Sequence, residues 1–291
     1  MKSARTKRRG IHAALWTVAW LLTVFAQASG GTLTLRYAFD GVSFAVYRVA
    51  EKSGEGYTLA APFDGYRVKL PSEEAGASCW RDAAETLAGY AAGEHAAARE
   101  SVRNGQATCA GLSDGLYLVV GERHTRDGAS GTPAVFLTEV FGGTNAGSEV
   151  KWDSDDPGES AGGVTVTVHK LWQGDEAAER PENVELRLLR DGTPYEDVCL
   201  EETNGWQYVW HGLDAACRWQ VIEPDVPVGY TVSVSREGWN FTVTNTADTP
   251  REPAWPGELL PQTGQLWWPV AVLAALGALL LWADRRAGRR K

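Results

Sequence analysis

Residues 164–172 read VTVTVHKLW. In an extended chain successive side chains point to opposite faces, so Val164, Val166, Val168, Lys170 and Trp172 share one face and Thr165, Thr167, His169 and Leu171 the other. The valine face belongs in a core, and Lys170 continues it. A charge there is costly unless a neighbour compensates it. Two later stretches repeat the pattern. In WQVIE (219–223), Trp219, Val221 and Glu223 share a face, and in FTVTN (241–245), Phe241, Val243 and Asn245 do. Three strands therefore end an apolar stripe on a lysine, a glutamate and an asparagine. One lysine at a strand end usually snorkels to solvent. Three residues of complementary chemistry predict a shared site.

Residues 164–246 resemble the B-type repeat of collagen-binding adhesins, an immunoglobulin-type fold. HKLW (169–172), VELRLL (184–189), NGW (204–206), WQVIEPDVPVGY (219–230) and FTVTNT (241–246) carry the resemblance. It implies that Lys170 condenses with Asn245, which supplies the amide carbon, while Glu223 acts as the assisting, proton-shuttling acid. The residue types suit this chemistry. Burial pushes a lysine towards its neutral form and a glutamate towards its protonated form. A protonated glutamate can polarise the amide carbonyl, and ammonia leaves. Such a reaction happens once per molecule, so it does not make the chain an enzyme.

The preceding part is β-rich with one helical segment. TLTLRYAF (32–39), VSFAVYRVA (42–50), YTLAAPF (57–63), YRVKLP (66–71), LYLVVGE (116–122) and PAVFLTEV (133–140) read as strands. CWRDAAETLAGYAA (79–92) places Trp80, Ala83, Ala84, Leu87 and Ala91 on one helical face. GVSFAVYRVA, WRDAAETLAGYA and GLSDGLYLVV (111–120) resemble the N-terminal domain of Gram-positive pilin subunits. Arg36 stands where a linking lysine would sit, and Glu122 reads as a solvated strand end, so no cross-link is expected here. Lys151, in EVKWD, lacks the preceding Tyr-Pro of pilins that polymerise through such a lysine. A wall-anchored monomer or minor pilus subunit is the expectation.

Both ends read as processing signals. Lys2, Arg5, Lys7, Arg8 and Arg9 precede an apolar run over 13–25 and the tripeptide AQA at 26–28, the order of a secretory signal peptide. At the other end come LPQTG, the apolar LWWPVAVLAALGALLLW (266–282) and a tail with Arg285, Arg286, Arg289, Arg290 and Lys291. This order resembles the cell-wall sorting signal of Gram-positive surface proteins. The resemblance implies that a sortase recognises Leu260, Pro261, Gln262, Thr263 and Gly264 and cuts between Thr263 and Gly264, through an acyl-enzyme on its cysteine. Pro261 would bias Leu260 towards an extended form.

The whole chain carries 28 basic and 37 acidic residues. Removing both terminal signals takes away ten basic residues and one acid, leaving a net charge of −18. So acidic a body excludes nucleic-acid partners. Cys79, Cys109, Cys199 and Cys217 fall two to each half, so an exported chain could form Cys199–Cys217 and Cys79–Cys109, with buried free thiols as the alternative. No metal-binding spacing occurs and no cofactor is expected.

The expected fold is mainly β: two immunoglobulin-like sandwiches, the first with a helical insertion, flanked by a signal peptide and a membrane-spanning sorting helix. The expected layout is a signal at 1–28, a pilin-like domain at 29–152, a linker at 153–162 and a B-type domain at 163–247. A Pro-rich spacer at 248–259, the motif at 260–264, the apolar segment at 265–283 and a cytoplasmic tail at 284–291 follow. The implied function is structural and adhesive, at the cell surface, with sortase, peptidoglycan or pilin subunits as partners and a host or matrix ligand possible. A receptor-specific adhesin with a site in the first domain is the alternative. An anchored enzyme is a weaker one, for want of a catalytic constellation.

Overall fold

The computed structural model describes residues 30–126, 129–143, 145–154 and 163–249. The expected signal peptide, the spacer beyond residue 249, LPQTG and the apolar tail lie outside the described residues. No helix among the described residues is long and apolar enough to cross a membrane.

The first lobe contains β1 (Gly31–Arg36), β2 (Ser43–Ser53), β3 (Gly56–Leu59), helix α1 (Ala77–Ala91), β4 (Ala98–Ser101), β5 (Gln106–Leu112), β6 (Gly115–Gly121), β7 (His124–Arg126), β8 (Ala129–Pro133), β9 (Phe136–Val140), β10 (Asn145–Glu149) and β11 (Trp152–Ser154). A sheet ordered β10-β1-β5 faces a larger one ordered β3-β2-β6-β9, to which β4 adds beside β2. A small sheet, β11-β8-β7, closes one end. Period-two alternation decides which side chains meet. Leu33 and Leu35 of β1 pack on Phe44 and Val46 of β2 and on Tyr117 and Val119 of β6. The opposite face of the larger sheet presents Ala45, Tyr47, Val49, Leu116 and Leu118 to a second core, which also contains Ala84, Leu87, Ala88 and Ala91 of α1.

The second lobe contains β12 (Val164–Gln173), β13 (Asn183–Arg190), β14 (Thr193–Glu201), β15 (Gln207–Leu213), β16 (Trp219–Ile222), β17 (Tyr230–Glu237) and β18 (Asn240–Ala247). One sheet runs β15-β12-β18-β17 and the other β14-β13-β16. Between them pack Val166, Val168, Leu186, Leu188, Leu200, Trp219, Val221, Phe241 and Val243. This is an immunoglobulin-like sandwich. Its first and last strands, β12 and β18, lie side by side and parallel, with Lys170 opposite Val243 and Trp172 opposite Asn245. Asp191 and Gly192 form the β13–β14 turn. They take φ of 50° and 79°, the left-handed pair that matches strand twist.

The lobes share the core that contains α1. The helix rests on β6 and β9 on one side and on β16 and β17 on the other. Its buried residues therefore exceed a single stripe: Ala83, Ala84, Thr86, Leu87, Ala88, Gly89, Tyr90 and Ala91 are all buried, while Trp80 is only partly so. Close approach needs Gly89, because a Cβ there would lie 2.5 Å from Ile222 Cγ2. YRVKLP is not a strand within the first lobe. Its Val68 instead bridges in parallel to Val232 on β17, and the Val232 amide donates to the Arg67 carbonyl at 2.8 Å.

Candidate site: a buried lysine, glutamate and asparagine

The alternation read at β12 is the observed one: Val164, Val166, Val168 and Lys170 are buried, and Thr165, His169 and Leu171 are exposed. Phe241, Val243 and Asn245 are buried along β18. Glu223 lies one residue beyond β16, followed by Pro224, which has no amide hydrogen and favours an extended Glu223. The fold thus carries the three polar residues into one place from three strands. Lys170 is 3% exposed, and Glu223 and Asn245 are fully buried.

Their atoms are in contact. Lys170 Nζ lies 3.1 Å from Glu223 Oε2. Asn245 Nδ2 donates to Glu223 Oε1 at 2.9 Å. The lysine–glutamate contact is close but poorly aligned for a hydrogen bond, and Asn245 Oδ1 has no protein donor. The carboxylate therefore bridges an amine and an amide. Trp172 covers the amine, its ring centroid 4.6 Å from Nζ. Edge-to-face contacts to Trp206 and Tyr230, with centroids 5.3 and 5.2 Å away, hold that ring.

Burial sets the protonation balance. Desolvation pulls the Lys170 pKa down from its ordinary 10.5 to about 8, against the opposing pull of Glu223. Desolvation raises the Glu223 pKa, although Lys170 and Asn245 partly offset it. Both shifts favour moving the proton from Nζ to the carboxyl, which leaves a neutral amine beside a polarisable amide. Asp175 also acts on Lys170. It accepts from Arg180 Nε at 3.0 Å and from the Tyr230 hydroxyl at 2.9 Å, and these contacts outweigh its burial and keep it acidic.

Two neighbours of the site escape sequence reading. Trp172 was legible as a same-face residue, but not as a cover for Nζ. Tyr90, in the other lobe, gave no signal: its hydroxyl donates to the Glu223 carbonyl at 2.8 Å.

The cysteine pairings do not form in this structure; all four thiols are free. Cys199 faces solvent on β14, whereas Cys217 is buried and receives a hydrogen bond from Arg190 Nε at 3.0 Å. Cys79 is exposed in the first turn of α1, whereas Cys109 lies in the other core, opposite Leu33. Each expected pair is thus split between an outer and an inner layer. Glu122 is exposed, 3.7 Å from Arg99, and Lys151 is exposed. No group of His, Cys, Asp and Glu that could hold a metal occurs among the described residues.

Parallel terminal strands with a buried lysine, glutamate and asparagine in contact between the sheets define this immunoglobulin-like sandwich. Residues 166–246 match the family described as the Cna protein B-type domain. Over 106 residues the chain is 31% identical to the collagen adhesin of Staphylococcus aureus, covering 33% of this chain and 9% of the adhesin. Among solved structures, a single B repeat unit of the S. aureus collagen-binding surface protein is 16% identical, covering 75% of this chain and 97% of that one, with a TM-score of 0.28. The minor pilin of Streptococcus agalactiae is 14% identical over 79% of this chain and all of its own, with a TM-score of 0.23.

Proposed function

We propose that the chain is a cell-surface structural or adhesive protein whose second lobe locks itself with a Lys170–Asn245 isopeptide bond. The observation that carries this is the isolated contact of amine, carboxyl and amide in an otherwise apolar core. Glu223 takes a proton from Nζ, and the neutral amine attacks Asn245 Cγ. The Nζ–Cγ bond forms and the Cγ–Nδ2 bond breaks. The second amine proton reaches Nδ2 through Glu223, ammonia departs, and the first proton remains on the Glu223 carboxyl. No turnover follows, so the role is not enzymatic.

The bond joins the first strand to the last. By the loop-closure relation used for disulfides, closing residues 170–245 would stabilise the lobe by about 4 kcal/mol. Tension applied through the lobe's ends would pass across the bond and not through the sheets. That is the property a tethered adhesin or fibre subunit needs. Similarity to the collagen adhesin supports a surface role and partners of the matrix-ligand or subunit type. The LPQTG segment, its apolar run and basic tail support export, sortase cleavage after Thr263 and covalent attachment to the wall. Intact-mass measurement tests the cross-link: the native protein should be one ammonia lighter than its processed sequence, and Glu223→Ala should restore the full mass. A native protein of full mass contradicts the proposal.

A further inference from the structure

Helix α1 of the first lobe reaches the backbone of the acid and the strand beside the asparagine. Ile222 is the last residue of β16 in register with β13, opposite Arg187, so Glu223 lies past the ladder. Its carbonyl is held by the Tyr90 hydroxyl at 2.8 Å. Tyr90 is itself fixed: its ring stacks on Tyr66 with centroids 4.4 Å apart, and the Tyr66 hydroxyl donates to Glu94 at 2.8 Å. One helical turn earlier, Thr86 Oγ1 accepts from the Val234 amide at 2.7 Å and donates to the Asp82 carbonyl at 2.6 Å. Val234 is on β17, the strand whose Val232 pairs with Asn245. Gly89, between the two, lets the helix sit against Ile222. Thr86, Gly89 and Tyr90 thus brace the acid on one side and the strand next to the asparagine on the other.

We infer that Tyr90 is a positioning residue for the cross-linking reaction, and that the bond closes efficiently only when α1 is docked on the second lobe. The inference rests on the Lys170–Asn245 reaction proposed above. A carboxyl that must touch Nζ at 3.1 Å and Nδ2 at 2.9 Å tolerates little rotation. Its backbone therefore has to be fixed from outside the strand that it leaves. The charged and titratable groups facing this point are Lys170 on β12, Glu223 itself and Tyr90 on α1, with Asp175 behind Lys170 and Tyr66 behind Tyr90. Burial keeps the Tyr90 phenol protonated, so it remains a donor. The first lobe would then act as a checkpoint: the second lobe is locked after the two have come together, which fixes the docked arrangement.

The test follows ammonia loss by intact mass during cell-free synthesis of the full chain, at several pH values. Tyr90→Phe, which removes only the hydroxyl, should slow bond formation about tenfold. It should also move the acidic limb of the rate–pH profile to lower pH, because a loosened Glu223 gains water. Thr86→Val, which removes the cap on Val234, should slow closure as well. Leu35→Ala disturbs the first lobe in the core that excludes α1, and should leave the pH profile of the folded molecules unchanged. A Tyr90→Phe chain that closes at the native rate with the native profile overturns the inference and leaves the cross-link itself standing. Equal slowing and equal profiles in Tyr90→Phe and Leu35→Ala also overturn it, since a general loss of stability would then suffice. A native chain that loses no ammonia removes the underlying reaction, and the inference with it.

Discussion

The two lobes are both built from facing sheets, yet their cores differ. Between β1 and β2 of the first lobe the buried side chains are Leu33, Leu35, Phe44 and Val46, and its charged candidates Glu122 and Lys151 are exposed. Between the sheets of the second lobe the apolar stripes end on Lys170, Glu223 and Asn245. Apolar packing spreads its stabilisation over many contacts and tolerates exchange of similar residues. A buried ionic cluster does the reverse. It gains little unless every member is present, and removal of one member strands the others. The comparison teaches that the second lobe gives up core stability to hold a buried polar cluster, the one proposed above to react. Its sandwich holds the polar cluster, whereas the first lobe's larger sheet packs α1 against its outer face.

The largest expected effect falls on the acid. Glu223→Ala should abolish the bond and leave Lys170 unpaired in an apolar core. The loss should be about 4 kcal/mol from the opened loop and roughly 3–5 kcal/mol from the stranded charge. Thermal denaturation would register it as a large fall in Tm, and a small fall would mean that the lobe does not depend on the cluster. Next comes Leu35→Ala, where a cavity in the apolar core should cost about 2–5 kcal/mol by denaturant titration. Unlike the first substitution, it should leave the mass deficit in place. If Leu35→Ala also removed the deficit, the two cores would not be independent.

Acidity sharpens the contrast further. Asn245→Ala cannot form the bond, so Lys170 continues to titrate. Its folded pKa, about 8, lies below its ordinary 10.5, so the unfolded chain binds more protons between those values. Relative to the native protein, the variant should gain stability as pH rises from about 8 towards 10.5. Glu223 has the opposite sign. Its folded pKa is raised, so stability present below its ordinary 4.5 is lost as pH rises through the raised value. Denaturation midpoints across pH should pass through a minimum between the two windows. A flat difference curve would show that the lysine is not held in a dry site. The smallest effect belongs to the surface. Arg99→Ala breaks an exposed pair with Glu122 and should change stability by less than about 1 kcal/mol.

Much of the second lobe was legible because a half-buried strand announces its faces at period two. VTVTVHKLW, WQVIE and FTVTN each placed the polar residue on the side where it is found. The helix was legible in extent but not in burial. A stripe through Trp80, Ala83, Ala84, Leu87 and Ala91 assumes one covered face, and α1 is covered on two. Thr86, Gly89 and Tyr90 look like an interruption of that stripe, yet they make the contacts to β16 and β17. Those contacts join residues far apart in sequence, and no periodicity reports them. YRVKLP carried a strand pattern for the same reason that it bridges to β17: an extended segment satisfies a sheet edge whichever lobe owns the sheet. The cysteine pairings failed because spacing says nothing about layer, and each pair has one thiol inside and one outside.

Tandem mass spectrometry of a proteolytic digest of the native protein tests the central claim most directly. The account predicts a branched peptide in which the Lys170 side chain is joined to that of Asn245, with one ammonia missing, and no such species from Glu223→Ala. Recovery of two linear peptides from the native protein, each with its full mass, would contradict it.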